Sequence, residues 1–122
     1  MPIKNRLSEL HEEIIGWRHD IHAHPELRFQ EHRTANLVAE LLREFGCDEV
    51  VVEVGQTGVI GVIHGRLTTT DMAIGFRADM DALPLQEITG LAHASIHSGK
   101  MHACGHDGHT AILLGTAKYL AE

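Results

Sequence analysis

The sequence has 122 residues, of which 43% are apolar and only 4% aromatic. This length fits one domain or part of one, and the apolar share is high enough for a packed core, which excludes a disordered chain. The formal charge at pH 7 is −7, from 17 acidic and 10 basic residues. An acidic chain has no electrostatic affinity for nucleic acid or anionic lipid, so we expect neither as a partner.

The predicted compartment follows from the N-terminus and the cysteines. The first residues, MPIKNRLSEL, contain no apolar h-region, and no apolar stretch has the length of a membrane span. The two cysteines, Cys47 and Cys104, are far apart in sequence. Free thiols in a reducing compartment are the simplest interpretation, so we expect a cytoplasmic protein. We expect Cys47 to be a small buried apolar residue.

The first part of the sequence predicts two helices. Residues 4–22 carry Leu, Ile and Trp at three- and four-residue intervals, which is the helical period. Pro25 disfavours helical geometry at His24 and therefore ends this helix. Residues 31–45 repeat the pattern as one apolar stripe, and Gly46 supplies the usual residue after a helix end.

The hydrophobic period changes after the second helix. Residues 49–54 and 58–64 are rich in Val and Ile and predict two strands joined by a turn. A third strand is predicted over residues 72–80, MAIGFRADM. A long connection, 81–102, then leads to a last helix over about 107–120. This order predicts an α/β fold with helices packed on a mixed sheet.

The strongest chemical signal is MHACGHDGHT, residues 101–110. Thiolate and imidazole are preferred ligands of zinc and related metals, and Gly105 lets Cys104 and His106 face one point. The segment therefore predicts a metal site. Two other interpretations stay open. One is a helix N-terminus capped by Asp107 with solvated histidines, and the other is a nucleophilic Cys104 with His106 as its base.

Two further segments carry polar residues in less specific patterns. In RADMDALP, residues 77–84, Asp79 and Asp81 follow a predicted strand, and either can orient a metal-ligating His or hold a second ion. Taken alone, this segment favours a solvated acidic pair at a strand end. RHDIHAHPEL, residues 18–27, favours a polar helix end over a ligand role, with histidines near the negative pole of the helix dipole.

Four segments carry a family resemblance: IHAHPELRFQEHRTANLVAELL (21–42), GQTGVIGVIHG (55–65), IGFRADMDALPLQE (74–87) and KMHACGHDGHTAILLGTAKYLAE (100–122). In order and approximate spacing they resemble the metallo-amidohydrolases of the aminoacylase/carboxypeptidase zinc-peptidase family, in its hippurate hydrolase-like branch. Segments of this length are far more specific than a three-residue motif.

The resemblance implies a chemistry and assigns residues to it. It implies hydrolysis of the amide bond of N-acyl amino acids by two divalent metal ions per full-length site, drawn from Zn, Mn, Co or Ni. By position it implies that Cys104 and His106 are metal ligands and that Asp81 is the acidic residue that supports the first metal ligand. Sister branches carry a ligating His at the position of Asp79, so this sequence departs from them there.

The resemblance also implies that these residues are only part of an enzyme. The family's Glu-Glu pair, which gives the general base and a metal ligand, lies downstream, as do two further His ligands and a smaller lid or dimerisation domain. We therefore expect residues 1–122 to be the N-terminal portion of the catalytic domain, truncated after the helix that follows the metal-binding loop and inactive in isolation. A homo-oligomeric parent stays open. The alternative function is a non-catalytic metal-binding or interaction fragment.

Overall fold

The architecture combines helices with a β-hairpin. The computed structural model describes residues 2–67 and 69–122. In chain order the elements are α1 (Ile3–Ala23), α2 (His32–Glu44), β1 (Glu49–Val54), β2 (Gly58–Val62) and α3 (His106–Ala121). The α/β class that the sequence predicts is confirmed.

Local sequence signals decide where α1 and α2 end. His24 follows the last residue of α1, and its N–H donates to the carbonyl of Ile21 at 3.1 Å. The next residue, Pro25, prevents a further helical turn. After α2, Gly46 takes the left-handed conformation with φ +84°, which glycine adopts without the cost that a Cβ imposes. Both predicted helices are confirmed to within one residue at each end.

The described sheet is an antiparallel pair, with Glu49 opposite Val62 and an irregularity between Val51 and Val54. The first predicted strand is confirmed, and the second ends at Val62, two residues earlier than predicted. The third predicted strand was wrong, because residues 72–80 have no assigned secondary structure. The described sheet is accordingly antiparallel and not mixed. β-Propensity favours a strand only where a neighbouring strand accepts its hydrogen bonds.

Helices α1 and α3 run antiparallel in contact with each other. At one end Lys118 donates to Glu13 at 2.7 Å, and in the middle a Cβ on Gly115 would lie 2.5 Å from Cδ1 of Ile14. Glycine at this position therefore permits the close approach of the two helices. The pairing brings the end of α1 next to the beginning of α3.

A small apolar core lies beside this helix pair. It is formed by Val38 and Leu42 of α2 and Leu114 of α3, with half-buried Trp17 and Cys47 packed against it. Cys47 is thus a partly buried apolar residue, close to the expectation, and burial raises the pKa of its thiol. Among the described residues, no helix is both long enough and apolar enough to cross a membrane.

Candidate metal centre

The turn Cys104-Gly105-His106 leads directly into α3. Gly105 is the residue before the helix and has φ +88°, a conformation that costs about 1–2 kcal/mol for a residue with a Cβ. This turn leaves Cys104 exposed and places His106 in the first turn of the helix, where it is half-buried. Thiol and imidazole therefore lie on either side of one sharply turned glycine.

A carboxylate orients the His106 ring. Nδ1 of His106 lies 3.0 Å from Oδ1 of Asp81 and 3.0 Å from the Asp81 carbonyl oxygen. Both oxygens accept, so the ring donates from Nδ1 and keeps the lone pair on Nε2. Metal-ligating histidines usually donate their other nitrogen to a carboxylate or a carbonyl in this way. Of the two acidic residues predicted to orient a His of the metal segment, Asp81 is the one that contacts His106.

Backbone hydrogen bonds hold Asp81 in position. The next residue, Ala82, donates its N–H to the carbonyl of Glu26 at 2.8 Å. Leu83 and Met101 exchange two backbone hydrogen bonds, at 2.9 and 3.0 Å. The segment that carries Asp81 is therefore tied to the segment that carries Cys104, although the two are about twenty residues apart in sequence.

Asp79 lies apart from this contact. Its carboxylate accepts from Nε of Arg77 at 3.0 Å and is largely exposed. Its carbonyl oxygen accepts from the hydroxyl of Thr110 at 3.0 Å. The side chain of Asp79 thus forms an exposed ion pair with Arg77. The solvated acidic pair that was the alternative for this segment does not include Asp81, which contacts His106. The backbone of Asp79 helps to hold the first turns of α3.

The donors fit a metal ion in chemistry, although they are few. Cys104 offers a thiolate, and His106 offers Nε2 with its ring already oriented. A catalytic zinc ion usually has three protein ligands and a structural one has four. Within residues 2–67 and 69–122, no group of three or more His, Cys, Asp or Glu side chains is arranged to hold an ion. The described residues therefore offer two donors for such a site.

The structure disfavours both alternative interpretations of residues 101–110. Asp107 does not cap the helix, because the residue before the helix is Gly105 and makes no side-chain capping bond. The histidines are not all solvated, since His102 is only 4% exposed. A cysteine nucleophile needs a hydrogen bond to its base, and none joins Cys104 to His106 over the part of the chain that is described. The metal interpretation is favoured.

A buried polar cluster lies directly behind the turn. Nδ1 of His22 is 2.7 Å from Oδ2 of Asp107, and Nε2 of His22 is 2.9 Å from Oε1 of Glu87. Nε of Arg18 also donates to Asp107 Oδ2, at 3.2 Å. His22 lies in the last turn of α1, as the interpretation of residues 18–27 as a polar helix end expects, but its side chain is buried.

The two carboxylates of this cluster have lowered pKa values. Burial by itself would raise the pKa of Glu87, but hydrogen bonds from Thr89 and from the Ser95 N–H, together with nearby His22, outweigh it. Burial likewise opposes ionisation of Asp107, and its hydrogen bonds with His22 and with the Gly108 N–H lower its pKa. Both groups are therefore carboxylates at neutral pH.

Sequence reasoning missed His22 and Glu87. A signal existed for His22, because it follows buried Ile21 and lies eight residues after Ile14 on the face that packs against α3. Glu87 lies in a connection without regular structure, and its neighbours LPLQEITG give no sign of burial. Its contact with His22 joins residues 65 positions apart, which no local pattern encodes.

Comparison with known proteins agrees with this geometry. Residues 75–122 match Peptidase family M20/M25/M40. The chain is 56% identical to a hippurate hydrolase from Campylobacter jejuni over 93% of its own length and 29% of that protein. It is 48% identical to an N-acyl-L-amino acid amidohydrolase from Geobacillus stearothermophilus, over 98% of the chain and 32% of that protein.

A solved structure has the same fold. It is a dinuclear metal binding peptidase of the M20 family from Bacillus subtilis, with a TM-score of 0.85 and 45% identity, over 93% of this chain and 31% of that one. Fold and sequence are both similar to those of a class of hydrolases. Within that class its similarity is to peptidase family M20/M25/M40, as the resemblance implied. The chain spans about 30% of the length of these relatives.

Proposed function

We propose that the protein hydrolyses the amide bond of N-acyl amino acids, hippurate-like substrates included, in a metal-dependent reaction. Residues 1–122 form part of its catalytic domain in this proposal. The observation that carries it is the His106 ring, which donates from Nδ1 to Asp81 and so keeps the Nε2 lone pair for a metal ion, two residues after the exposed Cys104 in sequence. High identity to a hippurate hydrolase and to an N-acyl-L-amino acid amidohydrolase supports the substrate class.

Each of the three residues has a separate role. Cys104 and His106 bind a divalent ion, Zn, Mn, Co or Ni, and Asp81 orients the imidazole and raises its basicity. When bound, a pair of such ions lowers the pKa of a water molecule to about 7 and polarises the scissile carbonyl. The resemblance implies that the family's Glu-Glu pair, which gives the general base, lies downstream of the matched segments. We therefore propose that residues outside this segment complete the site, in a cytoplasmic protein acting on a small molecule.

A non-catalytic metal-binding or interaction fragment is the second candidate. It is favoured by the small number of candidate donors among the described residues, where no group reaches the three protein ligands of a usual catalytic zinc site. The two candidates differ in turnover. Release of benzoate from hippurate by the purified 122-residue chain would overturn our expectation that it is inactive in isolation.

The metal content of the purified chain tests the proposed ligands. We expect near-stoichiometric divalent metal by elemental analysis, and its loss in the double variant Cys104→Ala, His106→Ala. The matched control is Cys47→Ala, His11→Ala, which removes one thiol and one imidazole away from the turn. Equal metal content in the two double variants, or none in the unmodified chain, would contradict the assignment of Cys104 and His106.

A further inference from the structure

His22 is buried between two carboxylates. The exposed fraction of its side chain is 4%, and those of Glu87 and Asp107 are 2% and 3%. A neutral imidazole has one N–H donor and one acceptor nitrogen, whereas a carboxylate only accepts. A neutral His22 would therefore hold one ring lone pair within 2.9 Å of an anionic oxygen. Only the imidazolium donates to both.

We propose that His22 is an imidazolium held between Glu87 and Asp107 and acts as a positioning residue, fixing the first turn of α3 and through it the ring of His106. The three residues come from three segments: the end of α1, the 81–102 connection and the beginning of α3. The role of His22 in metal binding rests on the function proposed above, whereas its protonation state does not.

The charges of the cluster balance in this arrangement. Arg18 and His22 supply two positive charges, and the carboxylates of Glu87 and Asp107 supply two negative ones. Buried charges are tolerated when they are paired and hydrogen-bonded.

Two further histidines face the cluster without adding charge. The ring centroids of His93 and His102 lie 5.3 and 6.4 Å from that of His22. Burial lowers the pKa of both, with the like charges of His19 and His22 adding to the effect at His93. A lowered pKa favours the neutral ring at His93, whereas the two carboxylate contacts of His22 require a donor at each ring nitrogen.

The contact between His22 and Asp107 restrains the first turn of α3. Asp107 is the residue after His106, so a hydrogen bond to its carboxylate fixes the rotation of the first helical turn. Asp81 holds Nδ1 of His106 from the other side. Glu87 is itself fixed, because its Oε1 accepts from the Ser95 N–H at 3.0 Å and its carboxylate also accepts from Thr89. His106 is thus positioned from two independent directions.

The protonation state of His22 is tested in the unmodified chain. In ¹⁵N-labelled protein at pH 7, two-bond proton–nitrogen spectra separate protonated from unprotonated ring nitrogens. We expect both ring nitrogens of His22 to be of the protonated type. An unprotonated nitrogen in His22 would overturn this part of the proposal, and the measurement requires no variant to fold.

The positioning role is tested with His22→Gln and with His11→Gln as a control on the same helix. A Gln side chain cannot donate to two carboxylates in the directions of the imidazolium nitrogens. Titration with Co²⁺, followed by the thiolate-to-cobalt absorption band, should give an affinity about tenfold lower for His22→Gln and unchanged for the control. Glu87→Gln, which keeps the side-chain shape, should cause a smaller loss in the same direction. Equal affinities in all variants would overturn the proposal.

A last readout separates this inference from the metal assignment. If the unmodified chain binds no Co²⁺, the proposed ligands fail, but the Nδ1 proton of His106 still reports the position of its ring. We expect this proton to exchange with water faster in His22→Gln, or in Glu87→Gln should His22→Gln not fold, than in His11→Gln. An unchanged exchange rate would overturn the positioning role whether or not metal binds.

Discussion

Helix α3 contacts the rest of the chain through two regions of different chemistry. Its first turn rests on buried charges, where Asp107 meets His22 and Arg18. Its middle rests on apolar side chains, where Leu114 packs with Val38 and Leu42 of α2. Apolar contacts are non-directional and stabilise the helix in place, whereas hydrogen bonds between charges also define its rotation. The difference indicates that orientation is required at the end of α3 that carries His106.

The largest expected effect comes from His22→Leu in the charged region. Leucine has a similar volume but leaves the carboxylates of Glu87 and Asp107 without their common partner. Removing one member of a buried ionic group costs about 3–5 kcal/mol in the free energy of unfolding. Denaturant unfolding followed by circular dichroism measures this loss. A loss below about 1 kcal/mol would mean that the cluster is not charged in the way described.

Leu114→Ala in the apolar region should cost slightly less, about 2–4 kcal/mol, because it removes a side chain that is 3% exposed and leaves a cavity. The same unfolding experiment measures it. The Nδ1 proton of His106 should keep its exchange behaviour under conditions where the variant is folded. A change there as large as that in His22→Gln would remove the distinction between the two regions.

The pH dependence of stability should come from the charged region. The folded-state pKa of Glu87 lies below its ordinary value of 4.5. Its contribution is therefore present above that value and is lost as the pH falls through the folded-state pKa. His93 has a pKa below its ordinary value of 6.5 in the folded chain. As the pH falls, His93 therefore takes up a proton in the unfolded chain before it does so in the folded chain, and the free energy of unfolding already declines below pH 6.5.

Glu87→Gln isolates the contribution of the carboxylate. The variant should show a shallower loss of unfolding free energy below pH 4.5 than the unmodified chain, while the decline that begins below pH 6.5 is retained. Unfolding midpoints across this range measure both. If the unfolding free energy of the variant and of the unmodified chain fell equally below pH 4.5, the acid sensitivity would belong to groups other than Glu87.

Asp81→Asn should have a smaller effect on stability, about 0.5–1.5 kcal/mol, because it weakens one half-buried hydrogen bond to His106. Its effect on Co²⁺ affinity should be about tenfold, since it changes the partner that orients a proposed ligand. Isothermal titration together with denaturant unfolding separates the two quantities. Unchanged affinity would argue against the supporting role of Asp81.

The smallest effect is expected at the surface. Arg77→Ala breaks the ion pair with Asp79, but the Arg77 side chain is 87% exposed. Exposed pairs contribute little, so the free energy of unfolding should change by less than about 0.5 kcal/mol. Co²⁺ affinity should stay the same. A loss comparable with that in Asp81→Asn would bring Asp79 into the site, contrary to its position in the structure.

The sequence by itself determined the elements whose hydrogen bonds are local. Helical periodicity and the signals at Pro25 and Gly46 predicted α1 and α2 closely, and Val-rich alternation predicted the hairpin. The Cys104-Gly105-His106 turn could also be predicted from the sequence, because neighbouring metal-type donors around a glycine form a local pattern. Conformational preferences of this kind act over a few residues, so a single sequence reveals them.

Only the tertiary structure decided the pairings between distant residues. MAIGFRADM has the composition of a strand, yet it forms none without a partner to accept its hydrogen bonds. Likewise, Asp107 appeared suited to cap a helix, and it became one side of a buried cluster because α1 brings His22 against it. Hydrogen bonds between segments depend on which side chains the packing brings together, and that information lies in the assembled fold.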